Sequence, residues 1–338
     1  MTISFKYEKR DIKYSSGYIF KGKHYRCSYI KYNTLYNNPA PGTEHVELYN
    51  FHPKGDIKAS TLILHGLGSR NIKFLLWMGP HLASAGVNAT VLIFPGNHTR
   101  VEHGSVSGKS FLYPDIDVMY RFWEHSVVDV MSSIDLLENL GLWKDNNCLL
   151  GYCLGGMVSS MVSAIDKRIN QTIFMTAGGH IPKILFESPA TKFVRRMYKK
   201  GFKADNYLDN KKKLYEKYKK DLKIVNKLSL SKLLSNDTIH PLLKIDPLSY
   251  CHLLDESRVT IVDALFDRTL PLDSRKSLYK RIKGSKRYII PMGHVSWLPF
   301  EYLLAKYILH KVNIYDKQAK KMLLTKEKIE DPLSDDFK

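Results

Sequence analysis

Runs of consecutive apolar residues alternate with amphipathic stretches along most of the chain. Short continuous apolar runs predict strands buried on both faces, and the stretches with helical spacing between them predict helices. This alternation predicts a mostly parallel sheet that is covered by helices on both faces. The predicted strands lie at residues 60–64, 89–94, 148–150, 172–175, 258–266 and 287–290, and the predicted helices at 74–85, 118–140, 157–165, 272–282 and 300–312.

Two regions depart from this alternation. Residues 14–34 alternate loosely between apolar and polar positions, which predicts a hairpin. Residues 181–254 are rich in lysine and mostly helical in pattern, and no strand is predicted there. The resulting division of the chain is N-terminal strands of the core at 1–57, a first part of the core at 58–180, a helical basic cap insertion at 181–254, a second part of the core at 255–316 and a charged tail at 317–338.

A short motif follows the predicted strand at 148–150. Gly151, Cys153 and Gly155 have the G-x-nucleophile-x-G spacing of a strand–turn–helix elbow, with cysteine where serine is usual. The nucleophile of such a turn has a positive φ, and its neighbours must be small because the strand and the helix pass close together. The motif therefore predicts that the Cys153 thiol projects above the sheet as a nucleophile.

Candidate acid and base residues follow the last two predicted strands. A nucleophilic thiol needs a base, and the base needs an acid that orients it. We predict His294, in a glycine-containing loop, as the base, and Asp267 as the acid. Asp263 is an alternative acid inside the strand, and Asp273 fits a helix-dipole role in the next helix. Ligands of open α/β sheets bind beyond the carboxyl ends of the strands, which is where these residues lie.

Backbone amides are needed to stabilise the oxyanion that forms when a carbonyl is attacked. The amide of Leu154, directly after the nucleophile, is one predicted donor, and the amide of Leu67 is the other. The His65 imidazole is expected to brace the loop that contains Leu67. The residues that we predict to lie at the substrate pocket are His65, Gly66, Tyr152, His98 and Arg100.

Together these motifs resemble the α/β-hydrolase superfamily, over about residues 58–180 and 255–312. The cysteine at the elbow is similar to that of dienelactone hydrolases and polyhydroxyalkanoate synthases. The resemblance implies the α/β-hydrolase fold, a catalytic triad and an insertion that forms a lid over the pocket. The motifs that carry it are His65–Gly68, Gly151–Gly155, Phe266–Pro271 and Gly293–His294.

The expected function is hydrolysis of an ester, lactone or thioester through an acyl-thioester on Cys153. The alternatives are an acyltransferase, which passes the acyl group to an amine, alcohol or thiol, and a non-catalytic protein that binds ligands in the same pocket. A small-molecule acyl compound is the expected substrate. No metal and no cofactor are expected, because the spacings of the four cysteines fit neither a zinc site nor a disulfide framework.

The net charge of +19 is concentrated in part of the chain. Residues 181–250 contain 17 basic and 7 acidic residues. This excess predicts either a solvated helical face or a landing surface for an acidic carrier protein, a phosphate-bearing acyl donor or an anionic membrane surface. No nucleic-acid partner is expected, because no recognised motif accompanies the charge. The absence of a long apolar window or a signal-peptide pattern predicts a cytoplasmic protein without a transmembrane segment.

Overall fold

The computed structural model describes residues 3–68 and 72–314 of the 338-residue chain. Nine strands form one sheet, and nine α-helices of the described residues pack around it. The strands are β1 (Tyr14–Lys21), β2 (Tyr25–Asn33), β3 (His45–Pro53), β4 (Ala59–Leu64), β5 (Val87–Ile93), β6 (Asn147–Tyr152), β7 (Gln171–Met175), β8 (Val259–Ala264) and β9 (Lys286–Ile290). The helices are α1 (Ile72–Ser84), α2 (Ile116–Asn139), α3 (Leu154–Ile165), α4 (Ile181–Glu187), α5 (Lys192–Lys199), α6 (Lys211–Val225), α7 (Leu230–Ser235), α8 (Leu272–Tyr279) and α9 (Glu301–Lys311).

The sheet has two parts that differ in strand direction. Its strand order is β1-β2-β3-β5-β4-β6-β7-β8-β9. The pairs β1–β2, β2–β3 and β3–β5 are antiparallel, and every pair from β5 to β9 is parallel. The predicted N-terminal hairpin is therefore an antiparallel extension of the parallel sheet.

The prediction of a mostly parallel sheet with helices on both faces is confirmed. All six residues of β4 are buried, as expected for a strand in the middle of such a sheet. Leu62 and Leu64 point to one face, where they join the apolar cluster that includes α2 and α3. Ile63 points to the other face and joins the cluster formed with α1 and α9. The alternation of neighbouring side chains thus supplies two hydrophobic cores.

The segment between β7 and β8 consists of helices and turns. The helices α4 to α7 occupy its first part, and short 3₁₀ helices occupy residues 241–258. Within these turns a group of apolar side chains is fully buried and belongs to the core on the α3 face. That group consists of Leu242, Leu243, Ile245, Leu248 and Tyr250.

Two other expectations concern the C-terminal segment and membrane spans. The predicted charged tail at 317–338 lies outside the described residues. Within residues 3–68 and 72–314, no helix is both long enough and apolar enough to span a membrane.

Candidate active site

Cys153 lies at a sharp turn between β6 and α3. Its φ of 53° and ψ of −111° fall outside the regions that residues with a Cβ usually occupy. A Cβ at Gly151 would overlap the carbonyl oxygen of Gly155, and a Cβ at Gly155 would overlap that of Leu64. Both positions therefore require glycine. The close approach of strand and helix holds the strained turn in place, and the turn lifts the thiol above the end of the sheet.

The Asp267 and His294 side chains meet beside this turn. The Nδ1 atom of His294 lies 2.7 Å from Oδ2 of Asp267. The other carboxylate oxygen, Oδ1, accepts hydrogen bonds from the amides of Thr269 at 2.8 Å and Leu270 at 2.9 Å. Since three donors converge on the carboxylate, Asp267 is fixed in position and can hold the imidazole with its second nitrogen directed away from the acid.

The electrostatics of His294 depend on both neighbours. Burial lowers the pKa of His294, but the charge of Cys153, together with hydrogen bonds to the Asp267 and Cys153 side chains, outweighs burial and raises that pKa to about 10. Burial also opposes ionisation of Asp267, yet its bond to His294 leaves the pKa of the carboxyl group below the usual value. The arrangement therefore favours an imidazolium between the Asp267 carboxylate and the Cys153 sulfur. The N-terminus of α3 adds a favourable dipole at the sulfur.

The loop after β4 presents an amide to the same place. His65 is fully buried, its Nε2 accepts from the Phe94 amide at 3.0 Å, and its Nδ1 donates to the Gly66 carbonyl at 2.6 Å. Burial lowers the pKa of His65 to about 4, which keeps the ring neutral. A trans peptide directs its N–H opposite to its carbonyl, so the bond to Gly66 turns the Leu67 amide away from His65.

The amides of Leu67 and Leu154 are both available as donors. Neither donates a hydrogen bond to a partner within residues 3–68 and 72–314. Asn97 fixes the adjoining part of the loop, because its Oδ1 accepts from the Gly68 amide at 2.8 Å. Asn97 therefore supports this loop through its side chain. No short-range pattern connects it with a glycine 29 positions earlier.

A cavity of about 330 Å³ opens beside the thiol. Its walls are mainly apolar, and they combine the β4 and β6 loops, the segment after β7 and the loops after β8 and β9. Such a space suits an uncharged organic group. The lining residues are Gly66, Leu67, Gly68, Phe111, Tyr152, Cys153, Leu154, Met157, Ile184, Ser188, Ala190, Thr269, Leu270, His294 and Val295.

The structure brings some of the predicted pocket residues to this cavity and others elsewhere. Gly66 and Tyr152 line it, and the Tyr152 hydroxyl donates to the His294 carbonyl at 3.2 Å. His65 lies behind the Leu67 loop instead. His98 is exposed, has a positive φ of 53° and does not line the cavity.

The prediction for Arg100 also needs correction. Its guanidinium is buried, donates to the Ile93 carbonyl at 2.6 Å and forms an ion pair with Asp129 at 2.8 Å. A buried guanidinium needs such partners, and they hold it away from the cavity. The two alternative acids have structural partners as well: Asp263 is bonded to Arg275, and Asp273 pairs with Lys183 at 2.7 Å.

Among the described residues, no group of three or more histidine, cysteine, aspartate or glutamate side chains is arranged to hold a metal ion. The groups that meet at the cavity include the thiol of Cys153, the imidazole of His294 and the backbone amides of Leu67 and Leu154.

The strand order, the turn at Cys153 and the loops at the ends of the parallel strands define an α/β-hydrolase fold. Solved structures with this architecture are similar over most of the chain. The acetyl xylan esterase from Paenibacillus sp. R4 has a TM-score of 0.56 and 15% sequence identity, with 89% of each chain covered. Acetyl xylan esterase 1 from Thermoanaerobacterium sp. JW/SL YS485 has a TM-score of 0.51 and 17% identity, over 91% of this chain and 89% of that one.

An acylaminoacyl peptidase from Pyrococcus horikoshii shares the fold with a TM-score of 0.54 and 13% identity. The match covers 89% of this chain and 44% of the peptidase. No protein-family model and no curated protein sequence matches the chain. At these identities the similarity establishes the fold, and the chemistry has to be argued from the site itself.

Proposed function

We propose that the protein is a hydrolase of carboxylic esters or thioesters that uses Cys153 as its nucleophile. The observation that carries this proposal is the position of one imidazole beside both partners: His294 Nδ1 lies 2.7 Å from Asp267 Oδ2, and the Cys153 side chain is close enough to raise the pKa of His294. The α/β-hydrolase neighbours named as esterases support an acyl-transfer reaction on this scaffold.

In the first half of the reaction, the Cys153 thiolate attacks the acyl carbonyl. A bond forms between sulfur and carbon, and the carbonyl oxygen becomes an oxyanion that accepts hydrogen bonds from the amides of Leu67 and Leu154. His294 gives its proton to the leaving alcohol or thiol as the bond to the carbonyl carbon breaks. Asp267 holds the ring and balances its charge throughout.

In the second half, water attacks the thioester on Cys153. His294 accepts a proton from that water, and the same two amides stabilise the second oxyanion. The bond between the carbonyl carbon and sulfur then breaks with its electron pair returning to sulfur, the acid product leaves, and the protonated His294 again forms an ion pair with the Cys153 thiolate. An amine, alcohol or thiol that replaced water would give acyl transfer by the same steps.

The cavity limits the acyl group that this site accepts. Phe111, Met157 and Ile184 contribute apolar walls, and within residues 3–68 and 72–314 no acidic, lysine or arginine side chain lines the cavity. Burying a charged acyl group there would cost several kcal/mol without a partner. We therefore propose an uncharged, mainly apolar acyl group as the substrate portion held in the cavity.

Intact-protein mass measurement tests the nucleophile directly. After brief exposure to an activated aryl ester, the wild-type protein should gain the mass of one acyl group, and peptide mapping should locate that group on Cys153. Cys153→Ala should gain none. Cys27, Cys148 and Cys251 are buried and act as internal controls. An adduct on one of these three with none on Cys153 contradicts the proposal.

A substrate screen separates hydrolysis from the alternatives. Aryl esters, lactones and acyl thioesters should be turned over with release of the free acid when water is the acceptor. Amide formation that outruns acid release when an amine is added would assign an acyltransferase. Binding without any turnover, together with an unlabelled Cys153, would assign a non-catalytic pocket.

A further inference from the structure

The segment between β7 and β8 carries a loop in which exposed aromatic rings lie among lysines. The loop joins α5 to α6, and its Phe202 and Tyr207 side chains are 50% and 49% exposed. Rings of this size are normally buried in part against a core. We define the aromatic–lysine surface as these two rings and the exposed lysines beside them, Lys199, Lys200, Lys203, Lys212 and Lys213.

The exposure of Tyr207 is fixed by the backbone. Asn206 and Tyr207 have φ values of 54° and 60°, which are unfavourable for a bulky residue. The loop is held on both sides of this turn: His240 Nε2 donates to the Asn206 carbonyl at 2.7 Å, and the Asn210 amide donates to the Tyr207 carbonyl at 2.9 Å. Strain persists only where its surroundings enforce it, so the ring is presented to the outside by a built turn.

The lysines of the aromatic–lysine surface keep their charge available. Within the described residues none of the five has a carboxylate oxygen in ion-pair distance, whereas nearby Lys211 and Lys217 pair with acids at 3.1 Å and 2.9 Å. Three exposed acids, Asp205, Asp209 and Glu216, are outnumbered by the five lysines. The Lys213 ammonium lies 5.6 Å from the centre of the Tyr207 ring, which places charge and ring side by side.

We propose that this surface docks on a lipid bilayer that contains anionic headgroups. A solvated helical face explains the lysines but leaves the exposed rings without a role. Lysines near a bilayer are attracted to anionic lipids, and aromatic rings partition into the region between headgroups and acyl chains. An acidic protein would match the charge alone. The combination of rings and lysines in one loop therefore fits the bilayer best.

The docking surface is joined directly to a wall of the cavity. Ile184 of α4 and Ser188 and Ala190 after it line the cavity, and α5, eight residues long, leads from there to Lys199 and the loop. The length of α5, about 12 Å, therefore separates this cavity wall from the docking surface along the chain. The substrate of the docked protein is the only step that rests on the hydrolase function proposed above: acyl compounds dissolved in the membrane become its accessible substrates.

Vesicle binding of the full chain tests the docking without using activity. The protein should cosediment with vesicles of phosphatidylcholine mixed with phosphatidylglycerol, bind far less to phosphatidylcholine alone, and detach as salt is raised. Each neutralised lysine should weaken binding about fivefold, so Lys200→Gln/Lys212→Gln should weaken it about 25-fold. Phe202→Ser/Tyr207→Ser should weaken it about tenfold.

The β1–β2 hairpin offers matched controls. Lys21 and Lys23 are exposed lysines, and Tyr14 and Tyr18 are 45% and 55% exposed, but none of them lines the cavity. Lys21→Gln/Lys23→Gln and Tyr14→Ser/Tyr18→Ser change charge and aromatic content equally and should leave vesicle binding unchanged. Equal losses in both sets of variants would overturn the proposal, because net charge alone would then govern binding.

A second measurement keeps the test valid if the serine variants fail to fold. A tryptophan introduced by Phe202→Trp should be quenched by brominated lipid, whereas one introduced by Tyr18→Trp should not. No quenching of the former overturns the docking. The docking is also overturned if the wild type binds a short nucleic-acid duplex as tightly as it binds the vesicles, and if Lys200→Gln/Lys212→Gln weakens both kinds of binding equally. Cys153→Ala should bind vesicles as the wild type does, which separates docking from catalysis.

Discussion

The Asp267–His294 pair and the Asp129–His125 pair are both buried, and they differ in what lies beside the imidazole. His294 has the Cys153 thiol and a cavity next to it. His125 lies 3.2 Å from Asp129, and Arg100 reaches the same carboxylate oxygen at 2.8 Å. Thr34 donates to the other oxygen at 2.5 Å. One carboxylate orients a ring toward a reactive atom, and the other neutralises a buried cation.

This difference shows that a histidine–carboxylate pair is a structural unit with no fixed role. Burial opposes ionisation of Asp129, but His125 and Arg100 outweigh it and lower the pKa of the carboxyl group. The guanidinium is permanently charged, and Arg100, His125 and Asp129 are all buried and do not line the cavity. The Asp267 pair has a thiol as its third member, and a thiol can give up a proton. We expect loss of activity from changes at the first pair and loss of stability from changes at the second.

Removing the thiol should have the largest effect. Cys153→Ala should reduce ester hydrolysis by about 10⁶-fold, because no covalent intermediate forms without a nucleophile. Cys153→Ser should keep the fold and still lose most activity, since His294 would face a much less acidic hydroxyl group. Hydrolysis rates and thermal unfolding check both variants. Full activity in the serine variant would show that the ion pair with sulfur is not required.

Replacing the two carboxylates in parallel tests the comparison itself. Asp267→Asn should reduce kcat by about 10⁴-fold, as expected when the ring loses its orienting acid. Asp129→Ala should instead lower the free energy of unfolding by about 3 kcal/mol, because Arg100 is left buried without its partner. Denaturant unfolding and kcat measured on both variants give the two readouts. If the two variants lost kcat equally when the same fraction of each was folded, the two pairs would not differ in role.

His65 should have an intermediate effect. His65→Ala frees the Gly66 carbonyl, so the Leu67 amide loses its fixed direction and kcat should fall by about 10² to 10³, the usual consequence of losing one oxyanion donor. KM should change little, because His65 does not line the cavity. A rise in KM with unchanged kcat would indicate that the loop shapes the pocket and does not hold the oxyanion.

The pH dependence should show the smallest effect. With the pKa of His294 raised to about 10, activity should fall as pH rises through that value, because the leaving group then lacks a proton donor. In Asp267→Asn this fall in activity should occur at lower pH, since the bond to Asp267 contributes to the raised pKa of His294. The proton on His294 also adds to the free energy of unfolding: its contribution is complete below pH about 6.5 and is lost as pH rises toward 10. If activity fell at the same pH in the variant and the wild type, the fall would be due to the titration of another group.

The parts of the fold that could be predicted are those set by neighbouring residues. Six continuous apolar runs identified the strands β4 to β9, and the glycines at 151 and 155 located the turn because sterics leave no other residue type there. The positions of Asp267 and His294 followed from the rule that strand ends meet at one edge of a parallel sheet. These inferences needed only local pattern and topology.

The parts that could not be predicted depend on partners far away in sequence. Arg100 and His98 follow a strand as pocket residues do, but Asp129, 29 residues later, holds Arg100 in the interior. The bond between Asn97 and the Gly68 amide, and the apolar walls from Ile184 and Ala190, arise from packing across the cavity. The sequence pattern also placed residues 241–254 in the cap insertion, although their apolar side chains are buried in the core.

The strand β1 has a practical consequence for anyone who wishes to attach this protein to a solid support. It is the outermost strand at the edge of the sheet opposite β9, and nearly all of its side chains face outward. Five strand spacings, about 24 Å, separate it from β6, where the nucleophile turn begins. A tether placed on β1 would anchor the molecule while leaving the mouth of the cavity unobstructed.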